Sequence, residues 1–353
     1  MTPRRAIVAL AAALGLLATE GVTTARASTV ARAAAAARAP AAGPALLQAF
    51  VLAGAPDSLA DLEAHAQAIG VVYPTYFECE PPTGQITGED TGAITAYARA
   101  QHIAVMPRFN CQDGPTVHLI LTDPSVRART LAGLLHIAES PAYAGVNLDF
   151  ENDVATDRAA LTSFVTALAR LLHAHGRRLA VDVDGVIHDN PLISTGFYND
   201  RALAAAADYV FVIAWGTHWE GSLAGPIAPL SFVAGVARYV ASLPHAGRFV
   251  LGSPMYGLDW PVPVGPAHHP RARALQYANV LALTHSTGAT PLRDRSVDEP
   301  TFAYTHSGVE HRVWYMDAPS IADRLRIART HDLLAGVWRL GGEDQALWSS
   351  PFV

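Results

Sequence analysis

The chain has 353 residues, of which half are hydrophobic, and its formal net charge of −6 comes from 25 basic and 31 acidic residues scattered without long runs. This distribution excludes the basic footprint of a nucleic-acid-binding protein and of a protein that binds anionic membranes. The length is sufficient for one large α/β domain or two small ones.

Residues 1–27 have the features of a secretory signal peptide. Two arginines precede an apolar stretch at about 6–18, and Ala25-Arg26-Ala27 supplies the small residues that a signal peptidase requires. The apolar stretch is shorter than the roughly 20 residues needed to cross a bilayer. We therefore expect a secreted, extracellular protein that begins near Ser28 and has no membrane contact after cleavage. Residues 28–45 are rich in alanine and proline and predict a linker.

Short apolar or β-branched runs alternate with helical patterns from residue 47 to the end of the chain. The predicted strands are Leu47–Leu52, Gly70–Tyr73, Ile103–Phe109, Gly145–Phe150, Leu179–Val186, Tyr209–Trp215, Phe249–Met255 and Gly336–Leu340. The predicted helices are 58–69, 91–101, 124–139, 157–175, 200–207, 231–242 and 318–331. Eight strands that alternate with helices predict an α/β fold of the (β/α)8 TIM barrel type over residues 46–353. An open doubly wound sheet usually has fewer strands, and the chain has no glycine-rich phosphate motif.

The regular spacing of the elements is interrupted once, after the seventh strand. Nearly 60 residues separate Tyr256 from Trp314, too many for one barrel helix and its loops. A predicted helix at Ala272–Thr284 and strand-like runs in the second half of this stretch indicate a small α+β insertion at about 261–313.

The fourth predicted strand carries polar residues at every second position. Asn147, Asp149 and Glu151 line one face of an extended chain, and the residues between them are apolar. The carboxyl ends of barrel strands are where chemistry gathers. Two close carboxylates resist ionising together, so one tends to hold a proton and can serve as a general acid. The alternative is an internal hydrogen-bond network that fills the barrel.

This stretch resembles a known family signature. The run A-G-V-N-L-D-F-E at 144–151 resembles the D-G-x-D-x-D-x-E motif of glycoside hydrolase family 18, the chitinase family, and G-V-N-L-D-F-E-N is similar to its spore-germination, cortex-lytic branch. Supporting motifs occur in the family's order at 121–124 (L-T-D-P), 254–260 (P-M-Y-G-L-D-W), 313–317 (V-W-Y-M-D) and 336–341 (G-V-W-R-L-G). The resemblance spans most of 47–353 and implies a barrel with an insertion after strand seven.

The resemblance also implies a retaining hydrolysis in which the substrate's own 2-acetamido oxygen attacks the anomeric carbon. Glu151 would protonate the departing glycosidic oxygen, and Asp149 would orient the acetamido group. Asn147 stands in the place of an inner aspartate, which should change how the other two residues share their proton. Ala144 replaces the first aspartate of the signature, a position that is mainly structural.

The same resemblance assigns sugar-binding residues. Trp338 matches the strand-eight tryptophan beneath the reacting sugar, since a flat indole suits the apolar face of a pyranose ring; its alternative is an ordinary core aromatic. Tyr256 and Asp259 match the end of strand seven and are expected to line the site. Trp260 and Trp219 are weaker candidates for sugar stacking.

Strands five and six depart from the family pattern. The family's sixth strand ends in M-x-Y-D, whose tyrosine hydroxyl binds the acetamido group, but here Trp215 and Gly216 occupy those places. Either the indole N–H of Trp215 or His218 replaces that contact, or the enzyme is slow or inactive. In strand five, Asp182 and Asp184 face the barrel interior, where they bind sugar hydroxyls or satisfy arginine and backbone groups.

The two cysteines and the histidines complete the candidate residues. An even cysteine count in an exported chain favours a disulfide between Cys79 and Cys111, which follow strands two and three on the same rim; two separate buried thiols are the alternative. His173 and His175 lie on different faces of a helix, and no metal-binding histidine motif is present, so we predict no metal.

The leading hypothesis is a secreted, monomeric N-acetylglucosaminidase or chitinase-type enzyme that needs no cofactor. Its partner would be an amino-sugar polysaccharide, either peptidoglycan or a chitin-like polymer. A barrel that binds such glycans without cutting them is the second hypothesis, which the altered sixth strand favours and the presence of Glu151 opposes. Release of N-linked glycans from glycoproteins is the third.

Overall fold

Residues 46–151, 154–262 and 271–353, which are the residues that this computed structural model describes, form helices and two β-sheets. The predicted signal peptide and linker lie outside the described residues. The strands are β1 (Leu47–Val51), β2 (Ile69–Pro74), β3 (Phe77–Glu80), β4 (Gln85–Gly88), β5 (Ala104–Val105), β6 (Arg108–Cys111), β7 (Gly145–Phe150), β8 (Arg178–Asp184), β9 (Tyr209–Ile213), β10 (Phe249–Pro254), β11 (Gly257–Pro261), β12 (Arg273–Leu275), β13 (Leu292–Asp294), β14 (Glu299–His306), β15 (Val309–Tyr315) and β16 (Leu334–Trp338). The helices are α1 (Pro56–His65), α2 (Ala93–Ala100), α3 (Gly114–Thr122), α4 (Pro124–Ala138), α5 (Arg158–Ala174), α6 (Asp200–Ala206), α7 (Leu230–Ala241), α8 (Tyr277–Thr287) and α9 (Ala318–Thr330).

The barrel closes through a third strand that is split into two pieces. The sheet order is β4-β3-β6-β7-β8-β9-β10-β16-β1-β2-β5, so that β5 pairs with β2 while β6 pairs with β7. Between the pieces, Met106 N donates to Val72 O at 3.0 Å and Asn147 N donates to Pro107 O at 2.9 Å. The predicted strand Ile103–Phe109 is therefore interrupted, because Pro107 has no N–H to continue the ladder.

Two helices occupy the connection where one was predicted. Asp113 caps α3 by accepting a hydrogen bond from Thr116 N at 3.0 Å. Asp123 ends that helix and caps α4 by accepting from Ser125 N and Val126 N, both at 2.9 Å. An aspartate cap followed by proline favours the start of a helix. This explains why α3 ends at this point and α4 begins.

Alternating strand residues separate an interior core from the core between sheet and helices. The barrel interior is filled at its base by the buried side chains of Phe50, Val71, Tyr73, Met106, Ala180, Phe211 and Val250. Polar residues also point into the interior, closer to the mouth than this apolar base. They include Arg108, Asn147, Asp149 and Asp182, each less than a tenth exposed. The interior is thus apolar below and charged toward the mouth.

The insertion after β10 forms a second sheet with its own small core. Its antiparallel strands follow the order β12-β11-β15-β14-β13, and α8 packs beside them. The core of the insertion consists of Leu275, Val280, Phe302, Val313 and Tyr315. The predicted (β/α)8 barrel with a small α+β insertion after the seventh strand is confirmed.

Within the described residues, no helix is both long and apolar enough to span a bilayer.

Candidate active site

The alternation of β7 places its acidic residues at the mouth of the barrel. Asn147 and Asp149 are fully enclosed, at 0% and 2% exposure, and Glu151 follows the strand with one third of its side chain exposed. On the opposite face, the ring of Phe150 packs against Phe109 and Phe164, with centroids 6.0 and 5.9 Å away. The strand therefore turns an apolar face to the helices and an acidic face to the interior, as its sequence predicts.

A buried arginine, which the sequence reasoning missed, organises this acidic face. Arg108 lies on β6 in register with Asn147 of β7. Its Nε donates to Asp149 Oδ2 at 2.5 Å, and its Nη2 lies 3.3 Å from Glu151 Oε1. The guanidinium also lies 5.2 Å from the centre of the Trp338 ring, a cation–π distance. The sequence signal that could have identified Arg108 was its position in the predicted third strand, on the side that faces the barrel interior.

Glu151 holds a proton near neutral pH. Burial raises its pKa most, and the carboxylate of Asp149 raises it further, to about 7. The Arg108 cation and a hydrogen bond from Gln112 Nε2, at 3.3 Å, act in the opposite direction. A carboxyl group that is part protonated at neutral pH can donate a proton in one step and accept one in the next.

The neighbouring strand adds a second buried acid. Asn147 Nδ2 donates to Asp182 Oδ1 at 2.6 Å, and burial, followed by the charge of Asp149, raises the pKa of Asp182 well above its usual range. Asp182 is thus engaged inside the barrel. Asp184 lies nearer the mouth, and burial together with Asp149 raises its pKa to about 6.

Two acceptor atoms at the centre of this group have no hydrogen-bond partner. In the described part of the chain, Asp149 Oδ1 and Asn147 Oδ1 are buried and unpaired. An unsatisfied buried acceptor costs about 1–3 kcal/mol, so each of these oxygens would be stabilised by a donor that reaches it.

Trp338 forms the floor of an adjacent cavity. Its ring packs against Phe50, with centroids 5.0 Å apart and planes tilted by 60°. A cavity of about 370 Å³ lies beside it and is lined by Glu220, Met255, Tyr256, Ala274, Leu275, Gln276, Asn279, Trp338, Arg339 and Gly342. Burial, aided by the carboxylates of Glu220, Glu299 and Glu151, raises the pKa of Tyr256, which keeps its hydroxyl as a hydrogen-bond donor. The barrel mouth and the insertion both contribute to this cavity.

Residues 61–340 match the family model described as Glycosyl hydrolases family 18. The chain belongs to glycosyl hydrolase family 18. It is 29% identical over 268 residues to the Bacillus subtilis (strain 168) protein YdhD, with 73% of the chain and 63% of YdhD covered. It is 24% identical over 229 residues to the cortical fragment-lytic enzyme of Bacillus anthracis, with 63% of the chain and 52% of that enzyme covered. The chain therefore spans between half and two thirds of the length of these relatives.

A solved family structure shares the fold over most of its length. The crystal structure of a chitinase from Chromobacterium violaceum ATCC 12472 superposes with a TM-score of 0.76 at 26% identity, covering 86% of this chain and 97% of that one.

The departure at the family's sixth strand leaves one suitable hydrogen-bond donor. Trp215 packs against Phe211, and its indole N–H donates no hydrogen bond to any described residue. His218 Nδ1 lies 2.8 Å from Pro226 O, and because a carbonyl only accepts, Nδ1 carries the proton. The Nε2 atom of a neutral His218 is then an acceptor. Of the two predicted replacements for the family tyrosine, Trp215 is the one whose N–H has no acceptor among the described residues; the contact of either side chain with an acetamido group stays a prediction.

Asp259 does not group with the other predicted site residues. Its carboxylate is 3% exposed and accepts hydrogen bonds from Tyr304 Oη at 2.7 Å, His311 Nδ1 at 2.9 Å and Arg273 Nη2 at 3.2 Å. These partners belong to the insertion sheet and to a different cavity, of about 460 Å³. Its contact with a substrate stays a prediction.

The two weaker stacking candidates differ in accessibility. Trp260 is 2% exposed, and its Nε1 donates to Trp219 O at 3.3 Å, so its ring belongs to the core beneath the insertion. Trp219 is 54% exposed on the loop that also contributes Glu220 to the cavity.

The predicted disulfide between Cys79 and Cys111 is confirmed. It joins β3 to the end of β6, one residue before Gln112. Because Glu151 N donates to Cys111 O at 2.9 Å, the bridge also secures the segment that carries the proposed acid.

In the parts of the chain that the structure describes, no group of three histidine, cysteine, aspartate or glutamate side chains could hold a metal ion.

Proposed function

We propose that the protein is an exported glycosidase that hydrolyses glycans containing N-acetylglucosamine with retention of the anomeric configuration. The observation that carries this proposal is Glu151, a carboxyl group one third exposed at the barrel mouth, whose pKa is raised to about 7 beside the buried Asp149. Membership of family 18 supports it, as do relatives named as a cortical fragment-lytic enzyme and a chitinase. Peptidoglycan and chitin-like polymers are the proposed substrates.

Glu151 has the two roles that such a reaction requires. It donates its proton to the glycosidic oxygen as the bond to the anomeric carbon breaks, while the acetamido oxygen of the substrate forms a new bond to that carbon. The ionised Glu151 then accepts a proton from the water that opens the cyclic intermediate. Two displacements at the same carbon restore the original configuration.

Asp149 is held ready for the acetamido group. Arg108 occupies Oδ2, and Oδ1 is buried without a partner. In the proposed mechanism Oδ1 accepts the acetamido N–H, and the carboxylate stabilises the positive charge that develops on the intermediate. The indole N–H of Trp215 donates to the acetamido oxygen in place of the family's tyrosine. Trp338 supports the apolar face of the sugar ring.

A second candidate function is glycan binding without cleavage. The specific observation in its favour is the sixth strand, where Trp215 and Gly216 replace the tyrosine and aspartate of the family pattern. A donor of different length and angle could leave binding intact while the acetamido group is poorly aligned for attack.

The test compares wild type with Glu151→Gln on labelled peptidoglycan and on chito-oligosaccharides, with reducing ends as the readout. Removal of a general acid is expected to lower kcat by about 10²–10⁴-fold. Glu63→Gln, at an exposed glutamate of α1, is the matched control and should leave kcat unchanged. If Glu151→Gln cleaves as fast as wild type, the assigned acid is wrong.

Two further outcomes separate the candidate functions. If wild type and Glu151→Gln both retain glycan and neither releases reducing ends, the binding function replaces the hydrolase. A product with inverted anomeric configuration would exclude the route assisted by the acetamido group.

Export is part of the proposal, because residues 1–27 have the sequence features of a signal peptide. N-terminal sequencing of protein from the culture supernatant of the expressing cells should start near Ser28. Protein found only in the cell extract with residue 1 or 2 at its N-terminus would contradict export.

A further inference from the structure

The cavity beside Trp338 is lined by two residues that carry formal charges of opposite sign. Arg339 at the end of β16 and Glu220 on the loop after β9 both line it, together with the side chain of Asn279 from α8. A chitin chain presents only hydroxyl and acetamido groups to such a cavity. An arginine at such a position can bind a negatively charged substituent more strongly than a neutral hydroxyl group, because hydrogen bonds between ionised groups are the stronger ones.

The Arg339 guanidinium is only weakly paired. Its Nη1 lies 3.4 Å from Asp57 Oδ2 and 3.2 Å from Leu340 O, and its Nε and Nη2 donate to no described residue. The Asp57 carboxylate is 39% exposed and also accepts a hydrogen bond from Gln276 Nε2. A long, shared and part-exposed ion pair contributes little, so the planar fork of Arg339 remains available for a second carboxylate.

Arg339 is placed next to the sugar that Trp338 would support. The two residues are consecutive, and both line the same 370 Å³ cavity. A substituent on the sugar next to the one that Trp338 supports, on the side of the insertion, would therefore meet Arg339. Arginine binds carboxylates through two parallel hydrogen bonds, which gives both affinity and orientation.

We propose that this cavity is a subsite for the carboxylate substituent of an acidic amino sugar, such as the lactyl group of N-acetylmuramic acid, and that Arg339 recognises it. The inference rests on the proposed function and narrows its substrate class to glycans that alternate neutral and acidic amino sugars. Glu220 and Asp57 repel a carboxylate that does not reach Arg339. The cavity therefore favours a substrate whose carboxylate lies at the position of the guanidinium.

The experiment uses two glycans of equal length that differ only in the substituent. One is a peptide-free strand of alternating N-acetylglucosamine and N-acetylmuramic acid, and the other is a chito-oligosaccharide. Arg339→Gln should lower kcat/KM for the muramic strand about tenfold or more, as expected for a lost charge-assisted hydrogen bond, and for the chito-oligosaccharide less than about twofold. Arg339→Lys should recover part of the loss, because it restores the charge without the fork.

A second variant tests the same subsite in the opposite direction. Glu220→Gln removes a negative charge from the cavity and should raise the ratio of kcat/KM for the muramic strand to that for the chito-oligosaccharide. Arg326→Gln, at an exposed arginine of α9, is the control and should leave this ratio unchanged. A purely structural role of Arg339 or Glu220 would change both substrates together.

Binding at different salt concentrations tests the subsite without altering it. Full-length protein carrying Glu151→Gln should bind the muramic strand several-fold more weakly at about 0.5 M than at about 0.02 M NaCl, because salt screens the charge pair, and should bind the chito-oligosaccharide equally at both. Salt-independent binding of the muramic strand, or no binding of it, would overturn the subsite.

The outcomes for the subsite and for the hydrolase are distinct. If wild type cleaves both glycans and Arg339→Gln slows both equally, the subsite is wrong and the hydrolase stands. If wild type cleaves neither, yet salt-dependent selectivity for the muramic strand is present, the hydrolase is wrong and the subsite stands.

Discussion

The guanidinium of Arg108 is paired with the carboxylate of Asp149 inside the barrel, with 2.5 Å between Nε and Oδ2. Both side chains are less than a tenth exposed, so water screens their attraction only weakly. Glu151 lies farther from the same cation, at 3.3 Å, and is more exposed. Arg108 therefore neutralises Asp149 first, and of these two carboxyl groups Glu151 is the one left to carry a proton.

Replacement of Asp149 should lower the pKa of Glu151 from its value of about 7. Asp149→Asn removes a negative charge that raises this pKa, and it frees Arg108 to stabilise the ionised form of Glu151. The acid must be protonated to act, so the alkaline limb of the residual kcat/KM profile should move to lower pH. The measurement is kcat/KM against pH, together with direct titration of labelled glutamate carboxyl groups.

The control for this variant is Asp189→Asn, at a part-exposed aspartate paired with Arg158 outside the barrel, and its profile should coincide with that of wild type. An alkaline limb that does not move in Asp149→Asn would mean that burial alone holds the proton on Glu151.

Substitution of Trp215 should reveal the donor that replaces the family's tyrosine. Trp215→Phe keeps an aromatic ring against Phe211 but removes the N–H, and loss of one hydrogen bond to the reacting group should lower kcat/KM about tenfold. His218→Asn keeps a donor for Pro226 O and should change kcat/KM less than twofold, on the order of a distant substitution. The opposite pattern in steady-state kinetics would identify His218 as the donor.

The sequence alone predicts the strands and helices that have a clear pattern within their own segment. Alternation along 145–150 places Asn147 and Asp149 inside the barrel, and the order of strands and helices gives its architecture. The strands of the insertion sheet were harder, because β12 and β13 have three residues each and pair with partners distant in sequence. Such short strands have no periodicity of their own to recognise.

The surroundings of Arg108 and Asp259 could not be predicted from the sequence near each residue. Arg108 follows a proline near the end of the predicted strand Ile103–Phe109, where an arginine is usually exposed. Its burial depends on Asp149 of the neighbouring strand. Asp259 lies in a family-like motif, yet its direction is set by Tyr304 and His311, about 50 residues later in the chain. Contacts between distant segments decide both cases. Alternation along the third strand can place Arg108 on the inward-facing side, but its ion pair with Asp149 cannot be read from that segment alone.

Reduction of the Cys79–Cys111 disulfide should destabilise the barrel. The bridge closes a loop with a sequence separation of 32, for which the lost constraint on the unfolded chain corresponds to roughly 3–4 kcal/mol. Chemical denaturation with and without reductant measures this difference. A variant with serine at both positions should unfold like the reduced wild type and show no response to reductant; equal stability of all forms would contradict the prediction.

Hydrogen bonds to two buried carboxyl groups, those of Glu343 and Asp61, link the C-terminal turn at Gln345–Ser349 to α1. Glu343 Oε1 accepts hydrogen bonds from Trp348 Nε1 and Gln345 Nε2, both at 2.9 Å. Gln345 Nε2 also donates to Asp61 Oδ1 at 2.9 Å, so the two carboxyl groups share this donor. Burial raises the pKa of Glu343 from 4.5 to about 8, and the adjacent Asp61 adds to the rise.

This shift makes the stability of the fold depend on pH in a predictable direction. Folded protein keeps the proton on Glu343 up to about pH 8, whereas unfolded chain loses it near pH 4.5. The stabilisation from this group is therefore complete below pH 4.5 and is lost as the pH rises through 8. Glu343→Gln stays neutral at every pH and can still accept from Trp348, so it avoids this loss.

The free energy of unfolding of Glu343→Gln, relative to that of wild type, should therefore increase by about 2–4 kcal/mol between pH 5 and pH 9. Denaturant titration at both pH values measures the difference, and the contributions of other titrating groups cancel in it. Glu89→Gln, at an exposed glutamate, should show no such increase. A relative stability of Glu343→Gln that is constant with pH would mean that Glu343 is ionised in the folded protein throughout this range.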